Sequence, residues 1–172
     1  MRACSPGMPN SEGTPILAFN LQSSIFNLKL LMGLLDTETG KRRLLSVEIP
    51  VIEKYNDGRD PVFRIRVNRV GGTVVLAYAL KPAHNIYLIE TRLLSSYPTV
   101  PPETRVISPM KHCPHLLEGQ TLCLWRQGST RTTNRWDPAK FTSIFAIQAA
   151  WRWLACYEIW HETGEWPLPE AK

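Results

Sequence analysis

The apolar and polar positions of this chain change rhythm several times, and each change predicts an element. Between Ser24 and Leu35, the residues Ile25, Leu28, Leu31, Met32 and Leu35 recur at spacings of three and four. That is the period of a helix with one buried stripe, capped by Ser23 or Ser24 and followed by Gly40 as a stop signal. Leu44–Ile52 is dense in apolar and β-branched residues and reads as a strand running into the turn Asn56-Asp57-Gly58. Alternation then takes over. Across Val62–Val70, Phe63, Ile65 and Val67 alternate with Arg64, Arg66 and Asn68. Gly71-Gly72 is a two-residue hairpin turn, Thr73–Leu80 is a β-branched strand, and Ile86–Leu93 is another after the turn at Pro82–Asn85. Together they predict an antiparallel meander.

The rhythm breaks at Tyr97–Pro109, where prolines at 98, 101, 102 and 109 leave only Arg105–Ile107 as a short strand. His112–Trp136 is irregular, and its second half, Arg126–Arg135, has arginines and no acid, as an exposed loop would. The last element is a long helix, with Asp137 as N-cap and Pro138 in its first turn. Phe141, Ile144, Ile147, Trp151 and Leu154 form its apolar stripe, with Trp153, Tyr157 and Trp160 beside it, and Gly164 ends it. Trp136, Trp151 and Trp153 read as core anchors. Met1–Pro15 carries no periodic pattern and reads as a flexible tail, leaving 16–172 as the folded domain. The expected class is α+β: an antiparallel meander of about four strands flanked by an N-terminal helix and a long C-terminal helix.

Composition narrows the function. Of 172 residues, 44% are apolar and 20% charged, enough apolar material to bury roughly 70% of the unfolded surface and to exclude whole-chain disorder. The longest apolar runs, such as Thr73–Leu80, fall well short of the roughly 20 residues of a membrane span. Cys4, Cys113, Cys123 and Cys156 are too scattered for a disulfide scaffold. No secretory signal precedes the first apolar stretch, so a cytoplasmic protein with reduced thiols is expected. The net charge of +5 is spread along the chain apart from Lys41-Arg42-Arg43 and the Arg126–Arg135 patch. An acidic protein partner accounts for it as well as nucleic acid does, and neither nucleic acid nor membrane is expected.

The candidate chemistry lies between the meander and the last helix. His112-Cys113-Pro114-His115 is followed by Gly119-Gln120-Thr121-Leu122-Cys123-Leu124 and then by Trp136-Asp137-Pro138. With Tyr97-Pro98 and Pro101-Pro102 before them, these pieces resemble the ubiquitin-conjugating enzyme family. That family has a His-Pro-Asn tripeptide whose proline lies nine residues before its catalytic cysteine, and Pro114 lies nine before Cys123. Cys123-Leu124 matches its active-site pair, and Trp136-Asp137-Pro138 its Trp-x-Pro. The likeness covers about Val62–Leu154. Cys113 and His115 replace the tripeptide's His and Asn, and the stretch from Cys123 to Trp136 is longer than in the eukaryotic enzymes. The aromatic C-terminal stretch Tyr157–Trp166 looks instead like the bacterial relatives of CBASS antiphage operons, in their stand-alone form. The resemblance implies a partner, the C-terminus of a cGAS-like nucleotidyltransferase (CD-NTase). It leaves open an activating enzyme in trans, and it implies no cofactor.

A thiolate is an intrinsically good nucleophile, present to a few per cent at neutral pH even when unshifted. Passing its acyl group onward goes through a tetrahedral oxyanion, and one well-placed donor there is commonly worth about 10²–10³ in rate. His115 stands eight residues before Cys123, as the family's Asn does, and carries a ring N–H. The catalytic candidates are therefore Cys123 and His115, and the partner-binding candidates Arg126, Arg131, Arg135 and Trp136. The helix Ser24–Leu35 and the loop Arg126–Arg135 are candidate docking surfaces. Alone, Cys123 would read as a small core residue and His115 as a loop brace; Cys113 and Cys156 read as packing. Trp160 and Trp166 read as ordinary packing or as a cover for the cysteine groove. His112, Cys113, His115 and Cys123 are legitimate zinc ligands but lack the usual C-x₂-C spacing, and no metal is expected. The rivals to the enzyme are a non-catalytic binding module of the same fold and a stable, non-turning-over complex with the partner.

Overall fold

The longest apolar strands decide where the core lies. The computed structural model describes residues 33–125 and 135–168, all within one unit spanning 31–172. Strands β1 (Arg66–Val70), β2 (Thr73–Leu80), β3 (Tyr87–Leu93), β4 (Glu103–Val106), β5 (Leu116–Leu117) and β6 (Thr121–Leu122) form an antiparallel sheet in the order β1-β2-β3-β4-β6-β5. Register places Val74, Leu76 and Tyr78 of β2 opposite Leu93, Thr91 and Ile89 of β3, and Ile89 and Thr91 opposite Val106 and Thr104 of β4. All of these are buried. The hydroxyls among them satisfy one another: Thr91 Oγ1 lies 2.8 Å from Tyr78 Oη and 3.0 Å from Thr104 Oγ1. The expected meander is present, with its turn at Gly71-Gly72. It starts later than Val62, because Pro61–Phe63 is a 3₁₀ turn whose Val62 N–H is capped by Asp60.

Leu44–Ile52 is helical, which overturns the strand expected there. Helices α1 (Glu38–Arg43) and α2 (Ile49–Asn56) are joined by a π-helical turn, Leu44–Glu48. Leu44, Glu48 and Ile52, four apart, are the buried stripe. The middle member of that stripe is a carboxylate, and this hid the helical period behind a merely apolar composition. The π turn also explains how Pro50 is tolerated. Ile49 N–H reaches back to the Leu44 carbonyl, so the turn is widened where a proline ring would strike a regular α-helical carbonyl. Of the helix expected over Ser24–Leu35, the described part is different: Leu34–Asp36 is a 3₁₀ turn. Gly33 ahead of it forms a bridge to Leu94. A Cβ on Gly33 would fall 1.8 Å from the Gly72 carbonyl carbon, so only glycine permits this crossing. The remainder of that helix, and Met1–Pro15, lie outside the described residues.

Helix α3 (Ser143–Thr163) starts six residues beyond the expected cap, Asp137, which instead accepts the Ala139 N–H at 3.0 Å in a separate turn. Thr142, at the true N-cap, makes no side-chain cap bond. Glu48 supplies it from another element. Its Oε2 accepts Ser143 N–H at 2.9 Å and Ser143 Oγ–H at 2.7 Å, and its Oε1 accepts Tyr97 Oη–H at 2.6 Å and Arg43 Nε–H at 2.9 Å. A carboxylate at a helix N-terminus is favoured by the orphan N–H groups and the dipole. The core face of α3 runs through Ser143, Ala146, Ile147, Ala150, Trp153, Leu154 and Tyr157. Trp151 lies one place round from that face and is 43% exposed, so it is no core anchor. Gly164 ends the helix in the left-handed conformation, φ 78°, as expected. Among the described residues no helix is long and apolar enough to cross a membrane.

Candidate active site

The eight-residue offset between His115 and Cys123 has a geometric cause. Between them lies the hairpin β5–β6, turned by Glu118–Gln120 with Gly119 at φ 65° and Gln120 at φ 58°. Its register pairs Leu117 with Thr121 and Leu116 with Leu122. The next pair outward is His115 and Cys123, and Cys123 N–H donates to the His115 carbonyl at 3.0 Å. His115 is itself left-handed, φ 64°, a conformation that costs a non-glycine residue on the order of 1 kcal/mol and persists because surrounding bonds enforce it. On its far side Leu116 N–H donates to the Cys113 carbonyl at 3.3 Å.

A second local bond turns the cysteine outward. Leu124 N–H donates to the Leu122 carbonyl at 3.0 Å, a γ-turn centred on Cys123. Leu122 and Leu124, 4% and 8% exposed, enter the core, and Cys123 between them is exposed. These two bonds also use up the N–H groups of residues 123 and 124. Neither is free to stabilise an oxyanion at the sulfur.

The other cysteines behave differently. Cys113 is buried, and burial pushes its thiol up to about 11. Cys156 is buried in α3 and also raised by burial, with Arg152 opposing. Both therefore pack, as expected, while Cys123 is open to reagents. Among the described residues no three His, Cys, Asp or Glu side chains are gathered to hold a metal.

Aromatic contacts hold the hairpin in place. Trp136 donates its indole N–H to the Pro98 carbonyl at 2.6 Å and packs against Tyr97, Trp125 and Phe141. It is 8% exposed, so this expected partner-binding residue is turned inward and presents little surface. Trp125, two residues beyond Cys123, stacks on Phe145 of α3. Arg135 is exposed, and Arg126 and Arg131 lie outside the described residues. On the other side, Tyr157 Oη accepts the Lys111 N–H at 3.1 Å, tying the His112–His115 segment to α3. Trp166 packs on His115 with ring centroids 5.1 Å apart and on Trp153 at 5.3 Å. Sequence reasoning missed the roles of Glu48 and Tyr157. Trp166 was traceable, since a tryptophan just past a glycine stop signal is placed to fold back.

A cleft of about 340 Å³, lined by Asn85, Tyr87, Ser108, Tyr157, His161 and Glu162 among others, includes neither Cys123 nor His115. In its wall, Glu158 accepts the His84 and Asn85 N–H groups, both at 3.0 Å. Burial opposes its charge, but these donors together hold its carboxyl below the usual range.

No curated protein matches the chain. A family model described as type II CBASS E2 protein matches residues 57–172, more than half of the chain, from the turn before β1 through the hairpin and α3. The expected resemblance to conjugating enzymes and the observed α+β architecture agree with that match, and the chain belongs to the type II CBASS E2 family.

Proposed function

We propose that this protein is a cytoplasmic ubiquitin-conjugating-like acyl transferase that regulates a CD-NTase in CBASS antiphage defence. Cys123 would carry the CD-NTase C-terminal carboxyl as a thioester. The observation that carries the reading is an exposed cysteine fixed, backbone to backbone, beside a histidine in a family of conjugating-type proteins.

The step begins with a carboxyl already activated as a thioester or acyl adenylate by an activating enzyme in trans. The Cys123 thiolate attacks its carbonyl carbon, the new C–S bond forms, and the carrier thiol or nucleotide leaves with the electron pair of the broken bond. Discharge reverses the roles: an amine or water attacks, the C–S bond breaks, the thiolate returns to Cys123, and the attacking group's proton passes to solvent. Both steps pass through an oxyanion, to which the His115 ring N–H would donate. Arg135, with Arg126 and Arg131 from the sequence, would engage the partner's carboxyl-terminal segment. Trp136 would act from beneath, as a support.

The test is a non-reducing gel and intact mass of the protein co-expressed with its CD-NTase and activating enzyme. A linked species that dithiothreitol removes, and that Cys123→Ala never forms, is expected. A stable complex with no such species would identify a binding module instead.

A further inference from the structure

We propose that Trp166 is a positioning residue for His115, one that sets the imidazole at the cysteine site; its kinetic consequence rests on the acyl-transfer reading above. The backbone of His115 is fixed by the bond from Cys123 and by the Leu116–Cys113 bond, but these do not fix its ring. Among the described residues no hydrogen bond holds the imidazole. Its aromatic contact is Trp166, at 5.1 Å between centroids and 52° between planes. That geometry lies in the range of favourable tilted aromatic pairs.

Trp166 is in turn well anchored. Gly164 reverses the chain at φ 78°, with its N–H on the Trp160 carbonyl at 2.8 Å. The reversal is braced by Thr163 Oγ1, which accepts the Glu165 N–H at 3.2 Å and donates to the Ile159 carbonyl at 2.8 Å. Beneath Trp166 lies the buried Trp153, at 5.3 Å, itself stacked on Tyr157. A rigid path therefore runs from the core face of α3 through Trp153 and Trp166 to the His115 ring. An oxyanion donor must be held within a few tenths of an ångström of its productive place. A histidine on a left-handed loop residue needs such an external brace. The side chain sits where the conjugating enzymes carry an Asn, which is smaller, so a ring at this position sweeps a wider arc when it turns about the same two torsions.

Two measurements decide it. In histidine-selective heteronuclear NMR, ring current from Trp166 should displace the His115 imidazole protons from the positions shown by the exposed His112, and Trp166→Ala should abolish that displacement. In discharge of the Cys123 thioester to free lysine, Trp166→Ala should slow the rate about tenfold and Trp166→Phe should restore it to within about threefold. Trp166→Ala should add nothing in a His115→Ala background, and Trp151→Ala, on the exposed face of α3, should match the parent. An unchanged His115 spectrum in Trp166→Ala overturns the proposal, and so does an equal slowing in both backgrounds. If Cys123 never forms a thioester, the functional reading fails while the spectrum still decides whether Trp166 sets the ring.

Discussion

Glu48 offers the sharpest test of how the fold is held. Its side chain is fully buried and joins three separate parts of the chain. Replacing it with alanine orphans the Ser143 N–H at the start of α3, the Tyr97 hydroxyl and one face of the Arg43 guanidinium. Loss of the helix cap costs about 1 kcal/mol, and a buried donor left unsatisfied about 1–3 kcal/mol. Removing one partner of a buried ion pair costs about 3–5 kcal/mol in all. These overlap, so about 4 kcal/mol is expected for Glu48→Ala, a large part of the roughly 5–15 kcal/mol of a typical domain. With a urea dependence of about 2 kcal/mol per molar, the midpoint of unfolding followed by tryptophan fluorescence should fall by about 2 M. Glu48→Gln keeps the shape but presents an NH₂ to groups that must donate, and should fall about half as far. Ser143→Ala should cost about 1 kcal/mol in the parent and nothing further in Glu48→Ala. A midpoint for Glu48→Ala within about 0.5 M of the parent would refute the bridging role, since about 1 kcal/mol is no more than the least costly of its orphaned groups implies alone.

Other perturbations separate the parts of the site. Iodoacetamide at pH 8, read by peptide mapping of Cys113, Cys123 and Cys156, should label Cys123 first and the other two only in denaturant, because both are buried and burial pushes the Cys113 thiol up to about 11. Labelling of Cys113 at a similar rate would show that the loop opens freely. The Glu158 carboxyl is held below its ordinary value of about 4.3 in the folded state. Its contribution is thus present above that ordinary value and is lost as pH falls through the native one. Thermal unfolding of Glu158→Gln should accordingly show a shallower loss of stability below about pH 4.5 than the parent, and parallel curves would contradict this. Gly119→Ala meets open space but is forced to φ 65°. It should cost about 1 kcal/mol in a melt, and a stabilised variant would mean the turn is not left-handed in solution.

The meander is legible because its strands are bounded by turn residues and carry either alternation, as Arg66–Val70 does, or an unbroken apolar run, as Thr73–Leu80 does. Thr73–Leu80 is a strand to the residue. The offset of Pro114, His115 and Cys123 is legible too, though only the register Leu116–Leu122 and Leu117–Thr121 shows that it brings the backbones of His115 and Cys123 side by side. Elsewhere polar residues take part in burial. Glu48 sits in the core stripe of 38–56, and Ser143 opens the core face of α3. A pattern that counts apolar residues alone hides the helical period of Leu44–Ile52, while Asp137 and Pro138 carry cap signals of their own that close a separate turn ahead of α3. Trp151 failed differently. At four residues from Ile147 it fits a helical stripe, but the stripe that packs passes through Ala150 and Trp153, both buried.

The hairpin of two two-residue strands that carries His115 and Cys123 would be marginal alone, since short isolated hairpins seldom persist in water. Its stability is borrowed from α3 at two points. Trp125, just after Cys123, stacks on Phe145 in the first turn of the helix, and His115 meets Trp166, which rests on Trp153. Residues 145 and 153 are separated by about 12 Å along the axis at the usual rise, so the two contacts hold the hairpin at separated points rather than as a hinge. One end of this bracket depends on the start of α3, where Glu48 supplies the cap, and the other on the reversal at Gly164. Disturbing the cap should therefore act first on the Trp125 side, and disturbing the reversal on the His115 side. The cysteine between them stays exposed while its immediate neighbours, Leu122 and Leu124, stay in the core. A rigid mounting with one open sulfur would suit the acyl-carrier role proposed above, because partner and acceptor would each have to reach the same atom in turn.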